Sequence, residues 1–246
     1  MIRRLTVIRS TGLLALLLLV LSPATLVAAG ASEPAAASGE RSAEAEPNER
    51  AVPEDAATAV FAGGCFWCME EAYEKVPGVY EAVSGYAGGD VPDPSYRQVT
   101  GGSTGHYEVV RVFYNPDELS YEDLLSIFWR NVDPLDSGGQ FCDRGSSYKP
   151  AIFYRTDDQE RLARESRRRL EESGRFSRPI VVEILELDAI EDDENDGFWV
   201  AEEYHQDYYL KNPVQYNFYK NGCGRVRRLE QLWGDEAGAP SFVEES

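Results

Sequence analysis

A pair of cysteines three residues apart carries the strongest chemical signal in this sequence. Cys65 and Cys68 lie in the segment Gly-Gly-Cys-Phe-Trp-Cys at positions 63–68, where two glycines allow a sharp turn from a strand into a helix. Cys65 then stands at the helix N-terminus, where free backbone N–H groups and the helix dipole stabilise a thiolate. Cys68 follows one turn later on the same face. The spacing indicates redox or nucleophilic thiol chemistry.

The residues alone leave several interpretations of this Cys-x-x-Cys pair open. It fits a catalytic dithiol, a structural disulfide or half of a zinc site. Zinc would need Cys142 and Cys223 as further ligands, yet neither belongs to a second Cys-x-x-Cys pair, so we expect no metal. A thiol–disulfide oxidoreductase that uses Cys65 and Cys68 stays open as an alternative function. A thioredoxin-type site, however, would be expected to have small residues or proline between its cysteines, where this chain has Phe66 and Trp67.

The composition excludes several other functions. The chain has 246 residues, with 24 Lys and Arg against 43 Asp and Glu, a formal net charge of −19. Such a balance argues against binding to nucleic acid or to an anionic membrane, because phosphate binding needs a positive surface. The hydrophobic fraction of 43% is enough for a substantial core. No nucleotide-binding glycine motif is present in the sequence, and we expect no cofactor.

The first 57 residues have the pattern of an export signal followed by a tether. Three arginines precede an apolar run at 12–21, and a small-residue stretch follows at 27–31, which together predict a signal peptide over residues 1–31. We therefore expect an exported protein, periplasmic or secreted, in an oxidising compartment. Residues 32–57, rich in Ala, Glu, Ser and Pro, predict a disordered tether, and residues 235–246 a disordered tail.

The folded domain is predicted to span residues 58–234, with strands and helices in alternation. Strands are predicted at 58–62, 79–86, 106–114, 149–154 and 180–187, and helices at 66–75, 120–130 and 156–172. This order predicts an α+β fold, a two-layer sandwich on a mixed sheet with a ferredoxin-like core. After Phe198 the chain is aromatic-rich but aperiodic, which predicts a wrap of loops and short helices.

Several ordered segments resemble the peptide methionine sulfoxide reductase A family. They are Gly64–Trp67, Pro77–Val79, Ser84–Gly89, Pro94–Arg97, Gly105–Val110, Asp143–Tyr148, Ala201–Tyr208 and Lys211–Pro213. The resemblance covers residues 59–234 and implies a peptide-methionine (S)-S-oxide reductase. Its substrates would be oxidised proteins or free methionine sulfoxide, and a thioredoxin-like protein would supply the electrons. We also expect a monomer.

The resemblance assigns roles that the chemistry demands. Cys65 would be the nucleophile that attacks the sulfoxide sulfur. Glu108 would be the general acid for the departing oxygen, since its strand neighbours on the same face are apolar and raise a carboxyl pKa. Tyr96 and Tyr148 would donate hydrogen bonds to that oxygen, and Asp143 would order the site.

Two further side chains and three further cysteines complete the predicted site. Phe66 and Trp67, beside the nucleophile, would form the slot for the substrate methyl group. The sulfenic acid left on the nucleophile must condense with a second thiol. Cys68 is the first choice, because it stands where the commoner family pattern has Gly. Cys223, flanked by glycines, is the rival resolving residue or a relay, and Cys142 could pair with either of them. Sequence alone leaves that choice open.

Overall fold

The computed structural model describes residues 52–187 and 196–238. The helices are α1 Phe66–Glu74, α2 Tyr96–Thr100, α3 Tyr121–Asn131, α4 Asp157–Glu172, α5 Tyr208–Lys211, α6 Pro213–Gly222 and α7 Arg225–Trp233. The strands are β1 Ala57–Gly63, β2 Val79–Ala87, β3 Tyr107–Tyr114, β4 Gly139–Gln140, β5 Asp143–Arg144, β6 Pro150–Tyr154, β7 Glu183–Glu186 and β8 Phe198–Val200. The predicted signal peptide and residues 32–51 of the predicted tether lie outside the described residues.

Six of the strands form one mixed sheet in the order β7-β6-β1-β3-β2-β8. Every neighbouring pair is antiparallel except β6 and β7, which run parallel. Strands β4 and β5 form a separate two-stranded hairpin. The sheet therefore confirms the α+β class and the mixed sheet that the sequence predicts.

The main core lies between one face of the sheet and helices α1 and α3. Strand β3 turns alternate residues to that face, so that Val110 and Val112 join a cluster around Phe61. The Phe61 ring stacks on Tyr73 of α1 and on Phe128 of α3, with centroids 5.2 and 5.5 Å apart. Burying each such side chain stabilises the fold by about 1.5–3 kcal/mol, so the core fixes α1 on the sheet.

Local sequence signals position the long helices. Ser120 and Asp123 form a capping box at the start of α3, and Thr156 accepts a hydrogen bond from the backbone N–H of Gln159 at the start of α4. Among the residues that the structure describes, no helix has the length and apolar character needed to cross a bilayer.

The prediction of a loop-rich C-terminal wrap is wrong in part. Strand β8 pairs with β2 and extends the sheet, and α6 and α7 are helices of ten and nine residues. Helix α6 could not be recognised from the sequence, because it buries only Tyr216 and therefore has no apolar stripe. In the predicted tail, Glu236 forms ion pairs with Arg130 and Arg175.

Candidate active site

The site is built around the turn from β1 into α1. Gly64 has a φ of +80°, and a Cβ there would lie 2.5 Å from the Cβ of Gln140, so only glycine fits. The turn places Cys65 at the N-cap of α1 and Cys68 one turn inside the helix. Both are free thiols and almost fully buried, with 5% and 4% of their surfaces exposed.

The two thiols interact and share a proton. Burial, and then the hydrogen bond with Cys68, raise the pKa of Cys65. The hydrogen bond from Cys65 lowers the pKa of Cys68 to about 6, with further help from the positive charges of Arg225 and Lys220. Cys65 therefore keeps its proton in the resting site, contrary to the thiolate that its helix position predicts, because burial outweighs the helix N-terminus. The pair as a unit loses one proton readily.

Glu108 lies on β3 directly beside the start of α1. Its carboxyl is buried, and its Oε2 atom accepts a hydrogen bond of 3.2 Å from the backbone N–H of Phe66. Burial raises the pKa of this carboxyl well above its ordinary value, and the negative charge of Asp143 adds to the effect. The structure thus places a carboxylic acid that can stay protonated near neutrality next to the buried thiols.

Three polar side chains that the sequence predicts for the site gather around Glu108. Tyr96 begins α2, Tyr148 ends a short 3₁₀ helix, and Asp143 belongs to β5. Burial, and then the charge of Glu108, raise the pKa of Tyr96 to about 12 and raise that of Tyr148 as well. Both phenols consequently keep their protons and remain hydrogen-bond donors across the physiological range.

Phe66 and Trp67 belong to an aromatic wall beside the thiols. The Phe66 ring lies 4.9 Å from the ring of His205 and 6.3 Å from that of Tyr96, measured between centroids. Trp67 stacks on Tyr208 at 3.7 Å and donates a hydrogen bond of 3.2 Å from Nε1 to Nδ1 of His205. Burial lowers the pKa of His205 to about 4, so this histidine is a neutral acceptor that holds Trp67 in place.

The other two cysteines form a disulfide with each other. Cys142 and Cys223 are 81 residues apart in sequence and are joined at the C-terminal end of α6. In this structure Cys223 is therefore not free to act as a second thiol, and Cys68 is the free thiol next to Cys65.

Sequence reasoning missed three residues that lie against the thiols or against the strand end that leads into Cys65. Tyr216 and Tyr219 of α6 pack against the Cys65–Cys68 pair. Buried Arg225 donates hydrogen bonds of 2.7 and 2.8 Å to the backbone oxygens of Gly63 and Asn131. No local pattern of the sequence marks these three residues, because their contacts are made with residues far away in the chain.

Two clusters in the described part of the chain have the ligand types of a metal site. Cys142, Asp143 and Cys223 lie close together, but both sulfurs are used in the disulfide. Glu70, Glu74 and Asp207 form the second cluster, in which both glutamates already accept hydrogen bonds from the protein. Neither cluster supplies a reason to place a metal in the thiol site.

Two cavities border the cysteines from other directions. One, of about 420 Å³, reaches Cys68 between α1, α6 and α7 and is lined in part by Lys220 and Arg225. A larger one, of about 510 Å³, borders Cys223 and Arg228, and its lining includes neither of the free thiols nor Glu108. The smaller cavity borders the Cys68 thiol, but neither cavity is lined by Cys65 or Glu108.

A buried dithiol next to a buried carboxyl of raised pKa and two phenols is the arrangement of a thiol-based reductase. Comparison with known proteins narrows this class. The family model described as peptide methionine sulfoxide reductase matches residues 57–237. The chain is 48% identical to the proteins named peptide methionine sulfoxide reductase MsrA of Bacillus licheniformis and Bacillus subtilis, in each case over 176 residues. These alignments cover 72% of this chain and 93% and 95% of those two proteins.

Solved structures agree with the sequence comparison. Methionine sulfoxide reductase A of Corynebacterium diphtheriae is 29% identical with a TM-score of 0.58, over 66% of this chain and 77% of that chain. Reduced Mxr1 of Saccharomyces cerevisiae is 30% identical with a TM-score of 0.58, over 66% of this chain and 88% of that one. This chain belongs to the peptide methionine sulfoxide reductase family.

Proposed function

We propose that this enzyme reduces methionine (S)-sulfoxide, free or in peptides and proteins, to methionine. The observation that carries the proposal is the buried Glu108 carboxyl, which stands beside the Cys65 thiol at the start of α1. A sulfoxide needs both groups at once, because a nucleophile must attack its sulfur and an acid must protonate its oxygen. Disulfide exchange does not need the acid.

The first step oxidises Cys65 and reduces the substrate. The Cys65 sulfur attacks the sulfoxide sulfur and forms a sulfur–sulfur bond to it, while Glu108 donates its proton to the oxygen. This sulfur–sulfur bond and the sulfur–oxygen bond of the substrate then break as the hydroxyl oxygen becomes bonded to Cys65, and the products are methionine and a Cys65 sulfenic acid. The thiol proton balances the one that Glu108 gives up, so the net reaction transfers one oxygen atom.

Positioning of the sulfoxide follows from the groups around Glu108. Tyr96 and Tyr148 keep their protons and can donate hydrogen bonds to the sulfoxide oxygen, which gains negative charge during the attack. Phe66 and Trp67 provide an apolar wall for the methyl group. Such a small, local recognition site allows a strongly acidic protein to bind a neutral side chain.

The second step regenerates the enzyme through Cys68. Its sulfur attacks the sulfenic sulfur of Cys65, water leaves, and a Cys65–Cys68 disulfide forms. A thioredoxin-like dithiol then reduces this disulfide and supplies two electrons and two protons. Support comes from the free state of Cys68 beside Cys65 and from the 420 Å³ cavity that borders it.

The lowered pKa of Cys68 favours one alternative activity, thiol–disulfide exchange on other proteins. Glu108→Gln separates the two functions, because glutamine keeps the acceptor for the Phe66 N–H but has no acidic proton to give. We expect about 10²–10⁴-fold slower sulfoxide reduction and unchanged reduction of insulin disulfides. Equal losses in both assays would contradict the proposal, and Glu71→Gln on the neighbouring helix face is the matched control.

Export to the periplasm or the medium is a separate proposal. It is supported by the signal-peptide pattern of residues 1–31 and by the Cys142–Cys223 disulfide, since disulfides persist in oxidising compartments. Expression of the full chain with measurement of the intact mass in each cell fraction tests it. Full-length protein confined to the cytoplasm would contradict export.

Two structural details complete the proposal. The order β6-β1-β3-β2 with antiparallel neighbours, and with α1 and α3 as the connecting helices, supports the ferredoxin-like description of the core. We also propose that the enzyme acts as a monomer, because each group assigned to the reaction comes from one chain. Light scattering on the purified chain measures this directly.

A further inference from the structure

Helix α6 lays two tyrosines over the thiol pair. Tyr216 and Tyr219 are three residues apart and therefore share one face of α6, just as Cys65 and Cys68 are three residues apart at the start of α1. The two faces meet in one buried cluster. As a result each phenol interacts with one thiol, Tyr219 with Cys65 and Tyr216 with Cys68.

The Tyr219 hydroxyl also contacts a carboxylate of the site. It donates a hydrogen bond to Oδ2 of Asp143. A phenol has a single proton, so the Tyr219 hydroxyl can donate to Asp143 or to the Cys65 sulfur, but not to both at once. While the Cys65 thiol keeps its proton, the Tyr219 hydroxyl donates to Asp143, and it can turn to the Cys65 sulfur when that thiol ionises.

The Cys142–Cys223 disulfide fixes both ends of the Tyr219–Asp143 contact. Cys142 is adjacent to Asp143 in sequence, and Cys223 lies one helical turn after Tyr219. The backbone N–H of Cys142 also donates to Cys223 Sγ at 3.2 Å. A crosslink at this point therefore restrains the hairpin that carries the carboxylate relative to the helix that carries the phenol.

We propose that Tyr219 is a further catalytic residue, whose hydroxyl turns from Asp143 to donate a hydrogen bond to the Cys65 sulfur as that thiol loses its proton for the attack, and that the Cys142–Cys223 disulfide holds it there. The inference rests on the proposed function. The S–H bond of Cys65 breaks and its proton passes to the Cys68 sulfur, which already accepts a hydrogen bond from it. The O–H bond of Tyr219 stays intact, and no electrons pass through the disulfide.

The titration of Cys65 reports on this contact without any sulfoxide. The groups that face its thiol are Cys68 on α1, Glu108 on β3, Tyr96 on α2 and Tyr219 on α6. Among them, the Tyr219 hydrogen bond lowers the pKa of Cys65, whereas Cys68 and Glu108 raise it. Removing the Tyr219 hydroxyl should therefore move the ionisation of Cys65 to higher pH.

Tyr219→Phe, which keeps the ring and the disulfide, is the direct test. Iodoacetamide labelling across a pH series, read for Cys65 alone by peptide mass spectrometry, should shift to higher pH. The kcat/KM for sulfoxide reduction should fall about 10- to 100-fold, the usual effect of losing a hydrogen bond to a charged group. Tyr209→Phe is the matched control, because its hydroxyl donates to Glu74 instead. A labelling profile and a kcat/KM within twofold of the unmodified enzyme would overturn the proposal.

The role of the disulfide is tested by Cys142→Ala/Cys223→Ala, alone and combined with Tyr219→Phe. If the disulfide acts by holding Tyr219, the double cysteine variant has a lower kcat/KM than the unmodified enzyme. Adding Tyr219→Phe to that variant should then lower kcat/KM by a smaller factor than it does in the unmodified enzyme. Loss of thioredoxin-driven cycling with an unchanged first turnover would instead make the disulfide an electron relay and overturn its holding role. Failure of the proposed function gives a different result. The unmodified enzyme would then form no methionine, while Tyr219→Phe would still shift the labelling of Cys65 to higher pH.

Discussion

Cys65 and Cys68 are three residues apart, buried, and free, whereas Cys142 and Cys223 are 81 residues apart, closer to the surface, and bonded to each other. The first pair is held close by one helix, so it needs no bond to stay in reach. The second pair joins segments that nothing in the local sequence brings together. A helix therefore keeps Cys65 and Cys68 close together while both thiols stay free to react. The Cys142–Cys223 disulfide instead closes a long loop and stabilises the structure around the reacting thiols.

The largest effect should come from the buried pair. Cys65→Ser removes the thiol that attacks the sulfoxide, and a serine hydroxyl neither ionises near neutrality nor forms a sulfenic acid. We expect methionine formation in a single turnover to fall by about 10³-fold or more. Unchanged circular dichroism would show that folding is intact. More than a trace of remaining turnover would mean that another residue is the nucleophile.

The bonded pair should matter most for stability. Cys142→Ala/Cys223→Ala opens a long loop, and the chain-entropy account gives a loss of about 4 kcal/mol in the free energy of unfolding. Guanidinium unfolding of the oxidised proteins measures it. Cys65→Ala/Cys68→Ala also removes two sulfurs but breaks no crosslink, so its loss should be smaller. An equal loss in the free energy of unfolding for the two double variants would contradict a specifically structural role for the Cys142–Cys223 disulfide.

The helix that carries the buried pair should weaken at high pH. Burial raises the pKa of Glu70 from 4.5 to about 8, although the Asp207 backbone N–H and the Ser84 hydroxyl donate to its carboxyl. A raised folded-state pKa means that stability is fully present below pH 4.5 and is lost as the pH rises through about 8. Glu70→Gln should remove this dependence, which we expect to amount to about 4 kcal/mol in the free energy of unfolding between pH 5 and pH 9, at about 1.4 kcal/mol for each pH unit below the folded-state pKa.

Thermal and guanidinium unfolding between about pH 5 and pH 9 measure that difference. The neighbouring Glu71→Gln is the control. Burial opposes ionisation of Glu71, but its hydrogen bonds with Lys220, Lys75 and Tyr216 outweigh burial and lower its pKa to about 2. Glu71 thus stays charged throughout this range, and its variant should differ by a constant offset. Parallel curves for Glu70→Gln and the unmodified protein would contradict the account.

The smallest of the four effects concerns recycling. Cys68→Ser should leave one methionine formed per enzyme molecule, because Cys65 remains. Steady-state turnover with a thioredoxin-like donor should slow by about 10- to 100-fold, since a neighbouring thiol acts at a far higher effective concentration than a separate protein. Unimpaired cycling would mean that Cys142 or Cys223 resolves the Cys65 sulfenic acid. The second pair would then be redox-active and not only structural.

The fold could be predicted where the sequence pattern is local. Alternating strands, the capping signals at Ser120 and Thr156 and the glycine turn before Cys65 predict most of the elements from β1 to α4. The two-residue strands β4 and β5 are too short to show a period, and β8 is recognised only by its pairing with β2. Helix α7 buries Arg225 at the position where an apolar residue would reveal the stripe.

The site divides in the same way. Cys65 and Cys68 could be proposed from residue type and spacing, and Glu108 from its strand face together with the family resemblance, and the structure brings all three together. The raised pKa of Cys65 could not be foreseen, because it depends on how completely α6 covers the thiol. Tyr219 could not be foreseen either, since its role depends on the packing of α6 against α1. Such long-range contacts leave no local pattern in the sequence.

The decisive measurement uses the purified protein, dithiothreitol and the separate S and R epimers of a methionine sulfoxide peptide. The account predicts that the S epimer alone is converted to methionine, and that Cys65→Ser abolishes the conversion. Conversion of neither epimer by folded protein with reduced Cys65 and Cys68 would contradict it. The buried dithiol would then have to serve disulfide exchange.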